Sequence, residues 1–188
     1  MTLRVIQMII QQILFLIVFV AVTIDLTGLY ITKFTKLRTW PPVKDTKLWY
    51  MELVLTWTWT PGFFIVSLLT INLPTVWGDL WLFSAGLIIF VAGLIIDILG
   101  IKYLDSGYVK EGELITTGIY QYTRNPQYVG SLLMGIGTVI FTNSAYSLVI
   151  AIPAALWFIT APYVEEKLLL QQYGDQYKEY CEAVPRFV

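Results

Sequence analysis

Two polar groupings stand out in a chain that is otherwise sparing with them. Arg124, Asn125 and Pro126 follow one another just before an apolar run, and the adjacent pair Glu165 and Glu166 closes another. Proline pushes the residue before it out of the helical region and is itself favoured as a first helical residue. Asn125 is therefore predicted to be the N-cap of a helix that starts at Pro126. A helix N-terminus presents free amides and the positive end of its dipole, and Arg124 adds a permanent charge, so this corner could seat a carboxylate or a phosphate. Arg124 could equally snorkel to a lipid phosphate. Two neighbouring carboxylates at a lipid boundary repel one another, so at least one is expected to meet a cation: Arg124, Arg186 or the ammonium of a ligand. The chain has no histidine and one cysteine, Cys181. That excludes a His or Cys zinc cluster, a Ser-His-Asp triad and an intramolecular disulfide, and leaves the chemistry to carboxylates, Arg, Lys, Tyr and backbone groups with no metal.

The elements that must position these groups are built for lipid. Of 188 residues, 57% are hydrophobic and only 13% charged, with a net charge of -1, and the mean hydropathy is +0.69. A nucleic-acid binder would need a basic excess, and a soluble domain about a quarter charged residues. Length is then counted in spans of roughly 20 apolar residues. Five apolar runs are read as spans: Val5 to Ile24, Leu48 to Ile71, Leu80 to Ile98, the shorter Val129 to Phe141, and Tyr146 to Val164. The first could be read as a signal peptide behind Arg4, but its apolar stretch exceeds the usual h-region of about 7 to 15 residues, which favours a retained helix. Pro61 is predicted to kink the second. The mixed stretch from Gly100 to Tyr128 reads as a folded loop, and Thr142 to Ala145 as a helical-hairpin turn. The expectation is an all-α polytopic membrane protein with five transmembrane helices and one membrane domain over residues 1–188. Three N-terminal spans fill residues 1–99, and the loop, the hairpin and the tail fill residues 100–188. In the tail, Val164, Leu168, Tyr173, Tyr177, Tyr180 and Val184 fall along one stripe, which predicts an amphipathic helix on the membrane surface with a break at Gly174.

Eleven of the twelve basic residues fall on one side of a five-span chain: Lys33, Lys36, Arg38, Lys44 and Lys47 after the first span, Lys102, Lys110 and Arg124 in the loop, and Lys167, Lys178 and Arg186 in the tail. The positive-inside rule then puts the N-terminus outside and the C-terminus in the cytoplasm, as in a prokaryotic inner membrane. Trp40 and Trp49 would flank one interface and Trp77 and Trp81 the other. Asp25, Glu52 and Asp97 read as marks of where helices leave the lipid. Trp57 and Trp59 read as lipid-facing aromatics in preference to the lining of a lateral path beside Pro61.

The spacing of Gly118, Tyr120, Arg124, Asn125, Pro126, Gln127, Tyr128 and Gly130, followed by Glu165, Glu166, Leu169, Tyr173, Gly174, Tyr177, Tyr180, Val184, Pro185 and Arg186, resembles the isoprenylcysteine carboxyl methyltransferase and phospholipid methyltransferase superfamily of integral membrane enzymes. The resemblance implies S-adenosylmethionine as cofactor. It implies a cofactor site over Leu114, Tyr120, Arg124, Asn125, Pro126, Tyr128, Glu165 and Glu166, with Arg124 and Glu166 as the catalytic pair and a lipid or lipophilic small molecule as acceptor. Asn125 stands where isoprenylcysteine enzymes carry histidine, while Asn-Pro occurs in relatives that include phosphatidylethanolamine N-methyltransferases, so the acceptor and its N, O or S atom stay open. Sterol-type reductases share a related C-terminal architecture and bind NADPH, and the run Tyr180 to Pro185 is similar to their tails. A membrane scaffold without activity is the third reading. Methyl transfer from a sulfonium asks mainly for alignment and desolvation, which suits a chain with neither metal nor histidine.

Overall fold

The computed structural model describes residues 3–72, 77–105 and 113–188. Lys110 and the side chain of Trp77 lie outside the described residues. Among the described residues, six α-helices run in the order α1 Leu3–Phe34, α2 Lys47–Leu69, α3 Trp77–Asp105, α4 Pro126–Thr142, α5 Ala145–Tyr173 and α6 Asp175–Ala183, with one 3-10 turn at Gly118–Gln121. No strand occurs among the described residues. Among the described residues, four helices are long and apolar enough to cross a membrane: α1, α2, residues 80–104 of α3, and α5. At 17 residues α4 is shorter, about 25 Å at 1.5 Å per residue. It nevertheless joins both ends of the bundle. Pro126 at its start lies against Gly100 of α3. At its far end the amide of Asn72, just past α2, donates to the Thr142 carbonyl at 2.8 Å.

The helices outrun the apolar runs that announce them, because polar residues near a span end extend a helix as readily as they end it. Asp25 is therefore not a helix terminus: α1 continues to Phe34. Asp97 likewise precedes two further turns of α3, so the loop predicted from Gly100 begins later. α2 runs unbroken through Pro61.

Glycine decides how α3 and α4 meet. A Cβ on Gly86 would fall 2.9 Å from the Gly137 carbonyl, and one on Gly93 would fall 2.6 Å from the Gly130 carbonyl. On each helix the two glycines are seven residues apart, the period that keeps one seam facing a partner. Removing their side chains lets the backbones touch, which is how helices associate where no hydrophobic drive separates protein from lipid. A second centre of packing joins α1, α2 and α5 around Val22, Leu29, Ile150 and Ala161, each fully buried, with Trp40, Trp59 and Trp157 among them. Trp40 packs edge-on against Trp157 at 5.2 Å between ring centres, so it belongs to this core and not to an interfacial belt. Trp81, 78% exposed, does face outward.

The tail departs from its predicted place. Gly174, at φ 56 and ψ -125, breaks the helix as expected and turns α6 back. Tyr177, Tyr180 and Val184 are then buried against Leu114, Leu169 and Tyr173. The stripe thus closes on the protein's own loop, because Leu114 and the aromatic side chains offer it a tighter partner than lipid.

Candidate functional site

The twin acids of α5 face two different environments, since successive helical residues point about 100° apart. Glu166 looks toward the loop and tail. Its Oε1 accepts from Arg124 Nε at 3.2 Å, Arg124 Nη2 at 3.1 Å and Asn125 Nδ2 at 3.1 Å. Its Oε2 accepts from Arg186 Nε at 2.9 Å and Arg186 Nη2 at 2.7 Å. The side chains of Arg124 and Glu166 are 8% and 9% exposed. A carboxylate this deep is tolerable only when both its charge and its lone pairs are met, and three donor groups do so here.

Arg124 uses its remaining donors to hold the tail. Nη1 donates to the carbonyls of Cys181 at 2.9 Å and Val184 at 2.6 Å, and the Arg124 amide donates to Pro185 at 3.0 Å. Thr123, which the sequence reading overlooked, adds a bond from its hydroxyl to the Arg186 carbonyl at 3.1 Å. The Tyr180 hydroxyl donates to the Tyr120 carbonyl at 2.6 Å, and the Arg186 guanidinium lies over the Tyr163 ring at 3.8 Å. Asn125 is the N-cap of α4 with Pro126 in the first turn, as expected, but its side chain makes no capping bond. It serves Glu166 and the Arg186 carbonyl instead. The first-turn amides of α4 are left uncapped by it.

Glu165 looks the other way, and its carboxylate lies near the Tyr128 hydroxyl. Tyr120 is close by and buried. Burial, and after it the negative charges of Glu165 and Asp97, push its phenol up to about 12. Four of the residues singled out from sequence, Arg124, Asn125, Pro126 and Glu166, thus build a rigid corner. Tyr120, Tyr128 and Glu165 form the face beside it. Leu114 packs into the tail cluster.

The donor set beside the corner suits a cofactor that carries both a cation and a carboxylate. Glu165 and Asp97 supply negative charge, Tyr120 and Tyr128 supply aromatic faces for a cation, and the α4 N-terminus supplies positive dipole for an anion. No group of three or more metal-type ligands occurs among the described residues.

Asp25 is a correction to the sequence reading. It is 1% exposed, and its Oδ2 accepts from Trp59 Nε1 at 2.6 Å while Oδ1 accepts from Trp157 Nε1 at 3.0 Å. Trp59 is 2% exposed and lines a cavity of about 300 Å³ between α2, α4 and α5, together with Phe63, Ser131, Gly135 and Phe158. Trp57, 75% exposed, faces outward as predicted. The hydroxyls of Thr60 and Ser131 are the only ones among the cavity's described lining residues. Phe158, in the cavity wall, lies 6.4 Å between ring centres from Tyr128 of the polar site.

Comparison with known proteins bears on this architecture. The chain is 40% identical over 76 residues to the protein-S-isoprenylcysteine O-methyltransferase B of Arabidopsis thaliana, a match covering 39% of this chain and 38% of that protein. It is 34% identical over 77 residues to the protein-S-isoprenylcysteine O-methyltransferase of Schizosaccharomyces pombe, covering 40% of this chain and 33% of that one. With the rat protein of the same name the match extends to 114 residues at 30% identity, covering 56% of this chain and 40% of the other. These matches thus span well under half the length of each relative. No solved structure matches the chain. The pattern of the phospholipid methyltransferase family covers residues 74–176, which run from α3 through the corner and the twin acids into α6, and the chain belongs to that family.

Proposed function

We propose that this protein transfers a methyl group from S-adenosylmethionine to a lipid or small lipophilic acceptor at the cytoplasmic face of a membrane. One observation carries the reading. The corner of Arg124, Asn125, Glu166 and Arg186 ties the start of α4, the end of α5 and the tail into one wall, and Arg124, Asn125 and Glu166 fall inside the stretch that matches a methyltransferase family. S-adenosylmethionine, when bound, supplies a methyl group on a positively charged sulfur. The residues do the rest. Arg124 and Glu166 fix the wall, while Glu165, Tyr120 and Tyr128 present charge and aromatic faces to a cation. The amides at the start of α4 receive a carboxylate. Leu114 and the tail cluster exclude water, which strengthens every electrostatic contact inside. Glu165 is placed to orient an acceptor or take its proton through the hydroxyl of Tyr128.

The acceptor's hydrocarbon portion occupies the cavity between α2, α4 and α5, whose depth in the bundle and apolar lining select chains over headgroups. In this reading α4 is a fifth crossing, and the basic loops place the C-terminus in the cytoplasm. Calorimetric titration of the purified full chain with S-adenosylhomocysteine and, separately, NADPH tests the proposal. Heat from S-adenosylhomocysteine alone is expected. Heat from NADPH alone would assign a reductase, and heat from neither a scaffold. Incubation with methyl-labelled cofactor and total membrane lipid would then reveal the acceptor as the labelled product.

A further inference from the structure

The apolar cavity owes its shape to two features that helix packing alone does not demand. The first is an absence. Gly135 sits inside α4, where glycine is the least favoured residue after proline. On the same helix, Gly130 and Gly137 lie so close to α3 that a Cβ would collide with backbone. A Cβ built on Gly135 meets no heavy atom within 4 Å. The open space beside it belongs to the cavity it lines, so glycine at this position leaves room for a guest and not for a neighbouring helix.

The second feature is a clamp. The Trp59 indole could rotate into the cavity, but its N–H is held by Asp25 at 2.6 Å and its ring packs against Trp157 and Phe158 at 5.9 and 5.6 Å between ring centres. The other oxygen of Asp25 holds Trp157 at 3.0 Å. A carboxylate at this depth is costly, and its two bonds go to indoles carried by α2 and α5, one of which forms a cavity wall. Asp25 and Trp59 precede residue 74, outside the stretch that matches the family, so membership does not account for them.

We propose that Gly135 and the Asp25-held indole of Trp59 together gauge the hydrocarbon chain of the acceptor. Gly135 is a specificity-determining position that sets how much chain fits, and Asp25 is a positioning residue that acts through Trp59. The inference rests on the cavity being the acceptor's seat. A chain entering from lipid gains little from burial itself, so the room left between the walls decides which length fits, and a wall displaced by one side chain alters the preferred chain length through overpacking.

The test uses the full chain in phosphatidylcholine nanodiscs, photolabelled with octanoic and palmitic acids that carry a terminal diazirine. Mass spectrometry of the α2, α4 and α5 peptides gives the ratio of long-chain to short-chain label. Gly135→Phe is expected to lower that ratio about tenfold or more through overpacking, and Gly135→Ala to leave it within about twofold. Asp25→Asn should erase the preference, bringing the ratio to that of the lipid-facing peptides of α3. A general loss of packing would lower both labels together and leave the ratio alone. Should Asp25→Asn fail to fold, Trp59→Phe, which removes the N–H and keeps an aromatic ring, carries the same expectation. An unchanged ratio in Gly135→Phe and in the clamp variant overturns the gauge. S-adenosylhomocysteine titration of the same samples separates the two ideas: absent binding with a shifted ratio defeats the methyltransferase reading and leaves the gauge standing.

Discussion

Glu166 has no free lone pair to offer a substrate: three donor groups from Arg124, Asn125 and Arg186 converge on its two oxygens. Its contribution is therefore the shape of the wall. Glu166→Gln removes the one negative charge between two guanidinium groups, and Arg124→Ala leaves that charge short of its main partner. Breaking a buried pair from one side costs about 3 to 5 kcal/mol. Each variant is expected to lower thermal stability and to weaken S-adenosylhomocysteine binding by about tenfold or more, as calorimetry would show. Tyr120 supplies a second prediction at this scale. Its phenol is raised from 10 to about 12 by burial and then by the charges of Glu165 and Asp97. Between those values the folded chain keeps a proton that the unfolded chain has lost. Its contribution to stability is therefore complete below pH 10 and disappears as pH climbs toward 12. Absorbance at the phenolate band should show fewer tyrosines titrating near pH 10 than in denaturant, and Tyr120→Phe should reduce the alkaline loss of stability. That one of the twin acids meets a cation was legible in the sequence, because an adjacent pair of acids at a lipid boundary requires one; that Glu166 takes both Arg124 and Arg186 was not. The fate of the Asn125 side chain was not. A cap bond is worth about 1 kcal/mol, less than the need of a buried carboxylate for donors. Asp25 was misread for a related reason: its indole partners come from helices far along the chain, and no local pattern announces them.

At the scale of elements, glycine plays opposite parts on the two sides of α4. Gly130→Ala would drive a methyl group to 2.7 Å from the Asp97 amide and should cost about 1 to 3 kcal/mol by overpacking. Gly135→Ala meets open space and should be neutral, or stabilising by up to about 1 kcal/mol through helix propensity. Thermal unfolding of the two variants in one detergent checks the contrast. Gly174 carries a different demand. Its positive φ is strained for any residue with a Cβ, so Gly174→Ala should cost about 1 to 3 kcal/mol and loosen the tail cluster, seen as faster proteolysis after residue 174. The sequence displayed the α3–α4 seam all along, in the seven-residue spacing of Gly86 and Gly93 and again of Gly130 and Gly137. That spacing goes unnoticed in either run alone, because a seam becomes visible only when two helices are compared in opposite directions. The destination of the amphipathic tail could not be read either, since an apolar stripe fits lipid and a neighbouring loop equally well.

Taken as a whole, the bundle joins two centres. Residues 74–176 carry the pattern shared with phospholipid methyltransferases, whereas α2 brings Trp59 to the cavity wall and α1 brings the Asp25 that holds it. Composition alone made the helical, lipid-embedded class legible, and charge asymmetry supplied an orientation. If α4 crosses fully, reporter fusions should place the N-terminus and the 142–144 turn on one side and the C-terminus on the other. An even number of crossings would leave both termini together.

The latch between Arg124 and the carbonyls of Cys181 and Val184 also bears on biogenesis. Residues 181–186 follow every long helix in the chain, so the apolar helices are synthesised first and the fastening comes last. A chain cut ahead of Cys181 would keep those helices and lose the bonds that hold the tail against Arg124.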